Sequence, residues 1–149
     1  MAAGAYSRGV LNILNGTIDL DTTALKFMLA SSAYTYNPDH SAVSSVNEVS
    51  ATNYTGGFNG SGRKAATATL TEQTANNRVV TVFSDLTWTA LGGVSNDTVQ
   101  AAVLIREITN DGASIPIVFL DFTGGNVPTN GSDFTINFDA TNGNLRWAV

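Results

Sequence analysis

The sequence predicts a mainly β protein, a single antiparallel β-sandwich or barrel-like domain with one or two short helices near the N-terminus. Three observations carry that prediction. About seven or eight short apolar runs, alternating or continuous, follow one another between turn signals. Fourteen glycines and an abundance of Asn, Ser and Thr punctuate the runs. Finally, 149 residues fit one domain with no composition break or internal repeat, long enough to bury roughly two-thirds of its unfolded surface. The expected division is an N-terminal helix or arm over residues 1–17 and one β-rich domain over 18–149.

The elements follow in order. Tyr6 to Leu14 places Tyr6, Val10, Ile13 and Leu14 on one helical face, with Asn15-Gly16 as a stop. The same segment, rich in small residues, reads either as a helix packed on its own domain or as a separable arm. Leu25, Phe27 and Leu29 alternate with Lys26 and Met28, as a strand requires. Asn37-Pro38-Asp39 can open a short helix, because Asn caps free amides and Pro suits the first helical position. Val43 and Val46 would then point inward. Thr52 to Gly62, TNYTGGFNGSG, is a loop by composition.

Lys64 to Glu72 reads as one strand, and Asn76-Asn77 turns the chain into Arg78–Phe83. Leu86 to Ala90 carries Trp88. Val99–Ile108 and Ile115–Phe122 are apolar on both faces near their middles, the mark of doubly covered strands. Phe134, Ile136 and Phe138 alternate with polar residues, and Asn142-Gly143 is a hairpin signal before a last strand with Leu145, Trp147 and Val149.

Composition excludes several functions. Charged residues are only 13% of the chain against 43% hydrophobic, leaving a polar but weakly charged surface. That surface suits a protein packed against neighbours, and equally an ordinary secreted or surface β-domain. The net charge is −5, and the seven basic residues are scattered apart from Arg63-Lys64, so no clustered footprint for nucleic acid is present. With no cysteine, disulfides and thiolate chemistry are excluded. No signal peptide and no membrane-spanning run is visible, so synthesis and folding in a host cytoplasm are expected.

Catalytic chemistry finds little support, and the expectation is a non-enzyme with no cofactor and no metal. His40, the single histidine, lies beside Asp39 in a turn, where capping is the simpler role than acid/base work. Glu48, Glu72 and Glu107 form no paired carboxylates at strand spacing, and no nucleophile elbow or phosphate-binding glycine loop occurs. Calcium is the least implausible ion, through Asp19 and Asp21 or through Asp139, Asn142 and Asn144. Neither stretch has the spacing of a calcium loop. Tyr54 and Phe58, aromatic residues in a Gly-rich loop, read either as local anchors or as contacts to a neighbouring subunit. Candidate subunit-contact residues are Tyr54, Phe58, Arg63, Lys64, Tyr6 and Arg8.

The blocks ALKFMLASSAYTYNPDH, NEVSATNYTGG, LTWTAL, AAVLIREI, IPIVFLDF and SDFTINFD resemble, in succession, those of a family of small virion proteins of tailed bacteriophages. The resemblance runs from about Ile18 to Trp147. It implies a β-rich structural protein in the particle. Its expected role is head decoration (cement), in which it would bind the outer surface of the major capsid protein and stabilise the head. The implied partners are the major capsid protein or other virion proteins and further copies of the chain, a trimer being one arrangement, with no direct contact to nucleic acid or membrane. The alternatives are a tail, neck or fibre component, and a carbohydrate-binding adhesive β-module with Trp88 or Trp147 as its platform.

Overall fold

Eleven β-strands, one α-helix and two short 3-10 turns make up the described part of the chain. The computed structural model describes every residue except 1, 123, 124, 142, 144 and 149, and the backbone alone at 2, 3, 147 and 148. In chain order the strands are β1 (Ala2–Ala5), β2 (Leu25–Ser31), β3 (Lys64–Ala66), β4 (Ala68–Gln73), β5 (Arg78–Phe83) and β6 (Leu86–Leu91). They continue with β7 (Thr98–Arg106), β8 (Ile115–Asp121), β9 (Val127–Pro128), β10 (Ser132–Ile136) and β11 (Leu145–Ala148). Helix α1 covers Ser7–Leu14.

All pairings are antiparallel. The principal sheet has the order β1-β8-β7-β2-β3, with β9 pairing the start of β7; β10-β6 and β11-β5-β4 form two smaller sheets. The apolar core lies between the principal sheet and the smaller ones. Leu25, Phe27, Leu29, Ala102, Leu104 and Leu120 from the first meet Phe83, Trp88, Leu91, Ile136, Phe138 and Leu145 from the others. Phe27 sits at the centre of this layer, its ring 5.0 Å from Phe83 and 5.1 Å from Phe138.

The opposite face of the principal sheet is buried too. Met28, Ala30, Ala101, Val103, Ile105 and Phe119 are covered by Tyr6, Tyr34, Val43 and Val46. This double cover is what the continuous apolar runs of β7 and β8 predict, since a strand with no wet face has no need to alternate. Tyr34, Val43 and Val46 belong to the connection after β2, which folds back over the strands it has just left. Val43 and Val46 do point inward, from a 3-10 turn at Val43–Ser45. No helix starts at Asn37. Its side-chain oxygen accepts from the Asp39 amide at 3.0 Å and closes a local turn instead.

Residues 2–17 pack onto the rest of the domain. Strand β1 adds to the outer edge of β8, with Ala2 opposite Asp121 and Ala5 opposite Val118. Tyr6 is fully buried. The Pro38 carbonyl accepts from the Ser7 amide at 2.9 Å, satisfying one free donor at the start of α1. The helix lies on β8 through Gly9, where an added Cβ would stand 2.6 Å from the Ile117 Cα and 2.7 Å from the Pro116 carbonyl oxygen. Because Gly9 sets the buried face, Leu14 lies 79% exposed, contrary to the expected face of Tyr6, Val10, Ile13 and Leu14.

Lys64 to Glu72 is two strands, not one. Thr67 is the corner at which the chain leaves the principal sheet for the small one, β3 pairing β2 and β4 pairing β5. Asn77 makes the expected turn into β5 in the left-handed conformation, at φ 48°. The hairpin expected at Asn142-Gly143 does not join β10 to β11, because β10 pairs β6 and β11 pairs β5 in separate sheets; Asn142 itself lies outside the described residues. In β6 the pairing with β10 slips between Ser132 and Phe134, and Ala90 takes a positive φ of 49°. Its amide donates to Asp133 Oδ1 at 2.8 Å, which holds the bulge in place.

Replacing Gly9 tests the close approach of α1 and β8. Gly9→Ala on an exposed helix would stabilise by up to about 1 kcal/mol through helix propensity. Here overpacking reverses the sign, and a loss of about 1–3 kcal/mol is expected by urea unfolding.

Candidate interaction site

The loop 52–62 leaves the edge of the principal sheet and returns into β3. Beyond the end of β3, the outer edge of β2 is sealed by the residues just before the loop and by one loop side chain. The Val49 amide donates to the Leu29 carbonyl at 3.0 Å, the Ser31 amide to the Asn47 carbonyl at 2.9 Å, and the Leu29 amide to the Tyr54 hydroxyl at 3.0 Å. Tyr54 therefore replaces a strand partner, and its ring is buried.

Arg63 organises the rest. Its guanidinium donates to both carboxylate oxygens of Glu48, from Nε at 3.0 Å and Nη2 at 2.7 Å. It donates to both of Asp111, at 2.6 and 3.1 Å, and to Glu107 Oε1 at 2.8 Å. Lys26 of β2 pairs with the other oxygen of Glu107. The Arg63 side chain is 1% exposed, so the five groups form a largely buried network carrying three negative and two positive charges. Arg suits such a site because its rigid fork matches two carboxylates at once.

The carboxylates then reach into the loop. Glu48 accepts from the Tyr54 hydroxyl at 2.8 Å and from the Gly57 amide at 2.8 Å; Glu107 accepts from the Asn59 amide at 3.1 Å. Gly60 passes so close to the Thr55 carbonyl that a Cβ would stand 2.2 Å from its oxygen. The Gly62 carbonyl accepts from Trp88 Nε1 at 2.6 Å. A loop that is flexible by composition is thus fastened at Tyr54, Gly57, Asn59, Gly62 and Arg63.

Burial pulls the Arg63 pKa down, but its bonds to Glu48, Asp111 and Glu107 outweigh this and raise it above the ordinary value. Burial likewise pushes Glu107 up, and its bonds to Lys26, Arg63 and the Asn59 amide prevail, leaving it below the ordinary carboxylate range. Burial and the neighbouring Glu48 charge raise the Tyr54 phenol. All three shifts favour one state: charged carboxylates, a charged guanidinium and a neutral phenol.

The candidate contact residues divide on this geometry. Tyr54 and Arg63 face inward, and Tyr6 lies under the far side of the principal sheet; this corrects the contact role expected of Arg63 and Tyr6, and for Tyr54 it matches the local-anchor alternative. The cause in each case is a hydrogen-bonding head that finds buried partners; for Tyr6 the partner is the Tyr34 hydroxyl at 2.9 Å. Phe58 is 36% exposed at the crown of the loop, Lys64 is half-buried just beyond it in sequence, and Arg8 is exposed on α1. Trp88 is buried with its indole N–H bonded, so it offers no platform for a sugar. The Trp147 side chain lies outside the described residues.

The other candidates resolve into structural roles. His40 Nδ1 stands 2.9 Å from the Tyr34 hydroxyl, extending the Tyr6–Tyr34 pair. Asp19 Oδ1 accepts from the Asp21 amide at 3.3 Å in a local turn, and among the described residues no group of three or more potential ligands is placed to hold a metal ion. Asn142 and Asn144 lie outside the described residues. Among the described residues no helix is long and apolar enough to cross a membrane. No family model, no curated protein and no solved structure matches the chain. Sequence reading missed the network itself: Glu48, Glu107 and Asp111 carry no local signal that would link them to Arg63.

Removing Arg63 leaves three carboxylates facing one another. Arg63→Met is expected to cost about 3–5 kcal/mol in urea unfolding, and Arg63→Lys to restore little, because an ammonium cannot bridge two carboxylates in parallel.

Acid acts on the same network. Because the folded-state pKa of Glu107 is depressed, its contribution is complete above the unfolded carboxylate value of about 4.3 and is lost as pH falls through the lower folded value. The unfolding midpoint should fall with acidification over that window, and less steeply in Glu107→Gln than in the parent.

Proposed function

We propose that the chain is a structural protein of a tailed-phage virion, and specifically a decoration (cement) protein that binds the outer surface of the major capsid protein and stabilises the head. The observation that carries this reading is the fastened loop 52–62. Tyr54, Gly57 and Asn59 within it, and Arg63 just after it, are bound inside, while Phe58 between Gly57 and Asn59 is 36% exposed. A preorganised loop loses little conformational entropy on binding, and an aromatic residue on it supplies contact area at low ordering cost.

The resemblance of the sequence blocks to those of small virion proteins supports the same reading, as does the weakly charged polar surface. A cement protein works by number. Each interface is modest, and repeated attachment across adjoining capsomers multiplies it. The side chains with chemistry to offer at the loop, Glu48, Glu107, Asp111 and Arg63, are engaged with one another, which favours a structural over a catalytic role.

Purified particles and expanded empty capsids test the proposal. Immunogold labelling distributed over the head, saturable binding to empty capsids and earlier bursting of particles lacking the protein on heating are the expected results. Labelling confined to one vertex or to the tail would overturn head decoration in favour of a neck, tail or fibre position. Phe58→Ala should weaken capsid binding by about tenfold with an unchanged unfolding midpoint.

A further inference from the structure

We propose that β4 is a self-pairing edge, through which two copies of this chain join their small sheets about a two-fold axis. The strand spans Ala68–Gln73 and pairs with β5 in an unbroken register from Ala68 opposite Phe83 to Gln73 opposite Arg78. It is the terminal strand of its sheet, in the order β11-β5-β4. Among the described residues its outer backbone groups have no backbone partner. Such a row of free N–H and C=O groups is a template for another strand.

Natural edges are protected by charged residues, especially lysine, and by proline, bulges or short length, and of these β4 has one charge near its end. It is six residues long, ATLTEQ, with no lysine, no proline and no bulge in its register, Glu72 being its single charge. Thr69, Leu70, Thr71 and Glu72 are all exposed, so the middle of the strand is open on both faces. Near the Ala68 end of the strand an open hollow of about 440 Å³ lies among Thr67, Thr69, Phe83 and Phe138. Leu70 is 40% exposed and points to the opposite face from Thr69.

The sequence of the edge selects a second copy as its occupant. Thr69-Leu70-Thr71 reads the same in both directions. An antiparallel pair centred on Leu70 places Leu70 opposite Leu70, and Thr69 opposite Thr71 in both copies. Cross-strand Thr–Thr pairs are favourable, and the two leucines cover each other. Glu72 falls opposite Ala68, so the strand's charge meets no like charge. The contact is isologous and closes after two subunits, extending the three-stranded sheet to six strands.

Sedimentation equilibrium of the intact chain across concentration is expected to show a reversible monomer–dimer system. Leu70→Lys, which sets two ammonium groups against each other at an exposed position, should weaken dimerisation by about tenfold or more without lowering the unfolding midpoint of the monomer. Val94→Lys, at a 97% exposed residue outside the strand, should leave dimerisation unchanged. Since the chain has no cysteine, Leu70→Cys provides a second reading: mild oxidation should give a disulfide-linked dimer much faster than Val94→Cys does. A monomer at every concentration, a dimer indifferent to Leu70→Lys, or equal cross-linking of the two cysteine variants would overturn self-pairing and leave the edge to a strand of another protein. Because none of these readouts involves a capsid, their failure is separable from failure of the decoration proposal.

Discussion

The largely buried guanidinium of Arg63 is the constraint on which the candidate site depends. It draws together Glu48 from before the loop and Glu107 and Asp111 from the connection between β7 and β8. A cation of this kind is tolerated inside only when its donors are matched by carboxylates in good geometry. The matching has a structural consequence beyond stability. Glu48 and Glu107 have oxygens to spare, and those oxygens bind Tyr54, Gly57 and Asn59. A polar loop that its own residues would leave mobile is given a single shape. The charge network is therefore best understood as a device for shape, with the exposed Phe58 as the feature it positions.

The principal sheet provides the frame. Both of its faces are dry, one against the smaller sheets and the other beneath Tyr6, Tyr34, Val43 and Val46. Covering the second face requires the N-terminal segment and the connection after β2 to close over it together. They do so through one another. The Pro38 carbonyl caps α1, the Tyr36 hydroxyl donates to the Ala5 carbonyl at 2.7 Å, and the Tyr36 ring stacks on Phe119 at 5.0 Å. Gly4 lacks the side chain that would collide with that ring, an added Cβ falling 2.6 Å from Tyr36 Cζ. The aromatic residues on this side thus join the first strand to the body of the domain.

Much of this frame was legible in the residues. The alternation around Phe27, the continuous apolar runs of β7 and β8, and Asn77 as a turn residue all follow from local chemistry. Strand β1 was not legible, because AAGA has neither β-branched nor aromatic side chains; it is a strand because the edge of β8 is available to it. The break at Thr67 was hidden for a related reason. Strands that change sheets keep their alternation through the corner, so period alone sees one strand where there are two. The orientation of α1 turned on Gly9, whose lack of a side chain counts for nothing in a hydrophobic pattern and decides the contact in space.

By itself the sequence determined a weakly charged, cysteine-free antiparallel β domain with a long Gly-rich loop, since composition and periodicity act within a few residues of one another. Tertiary structure alone decided which polar residues are buried. Arg63 and Glu48 are 15 residues apart, Arg63 and Glu107 44 and Arg63 and Asp111 48, separations at which no local pattern operates. Charge pairing across such distances is set by the register of β2, β3, β7 and β8, which brings the ends of several strands to one corner of the sheet. For that reason Arg63, which reads as a surface contact in the chain, is an interior fastening of the fold, and Tyr54 is the local anchor that was one of its two readings.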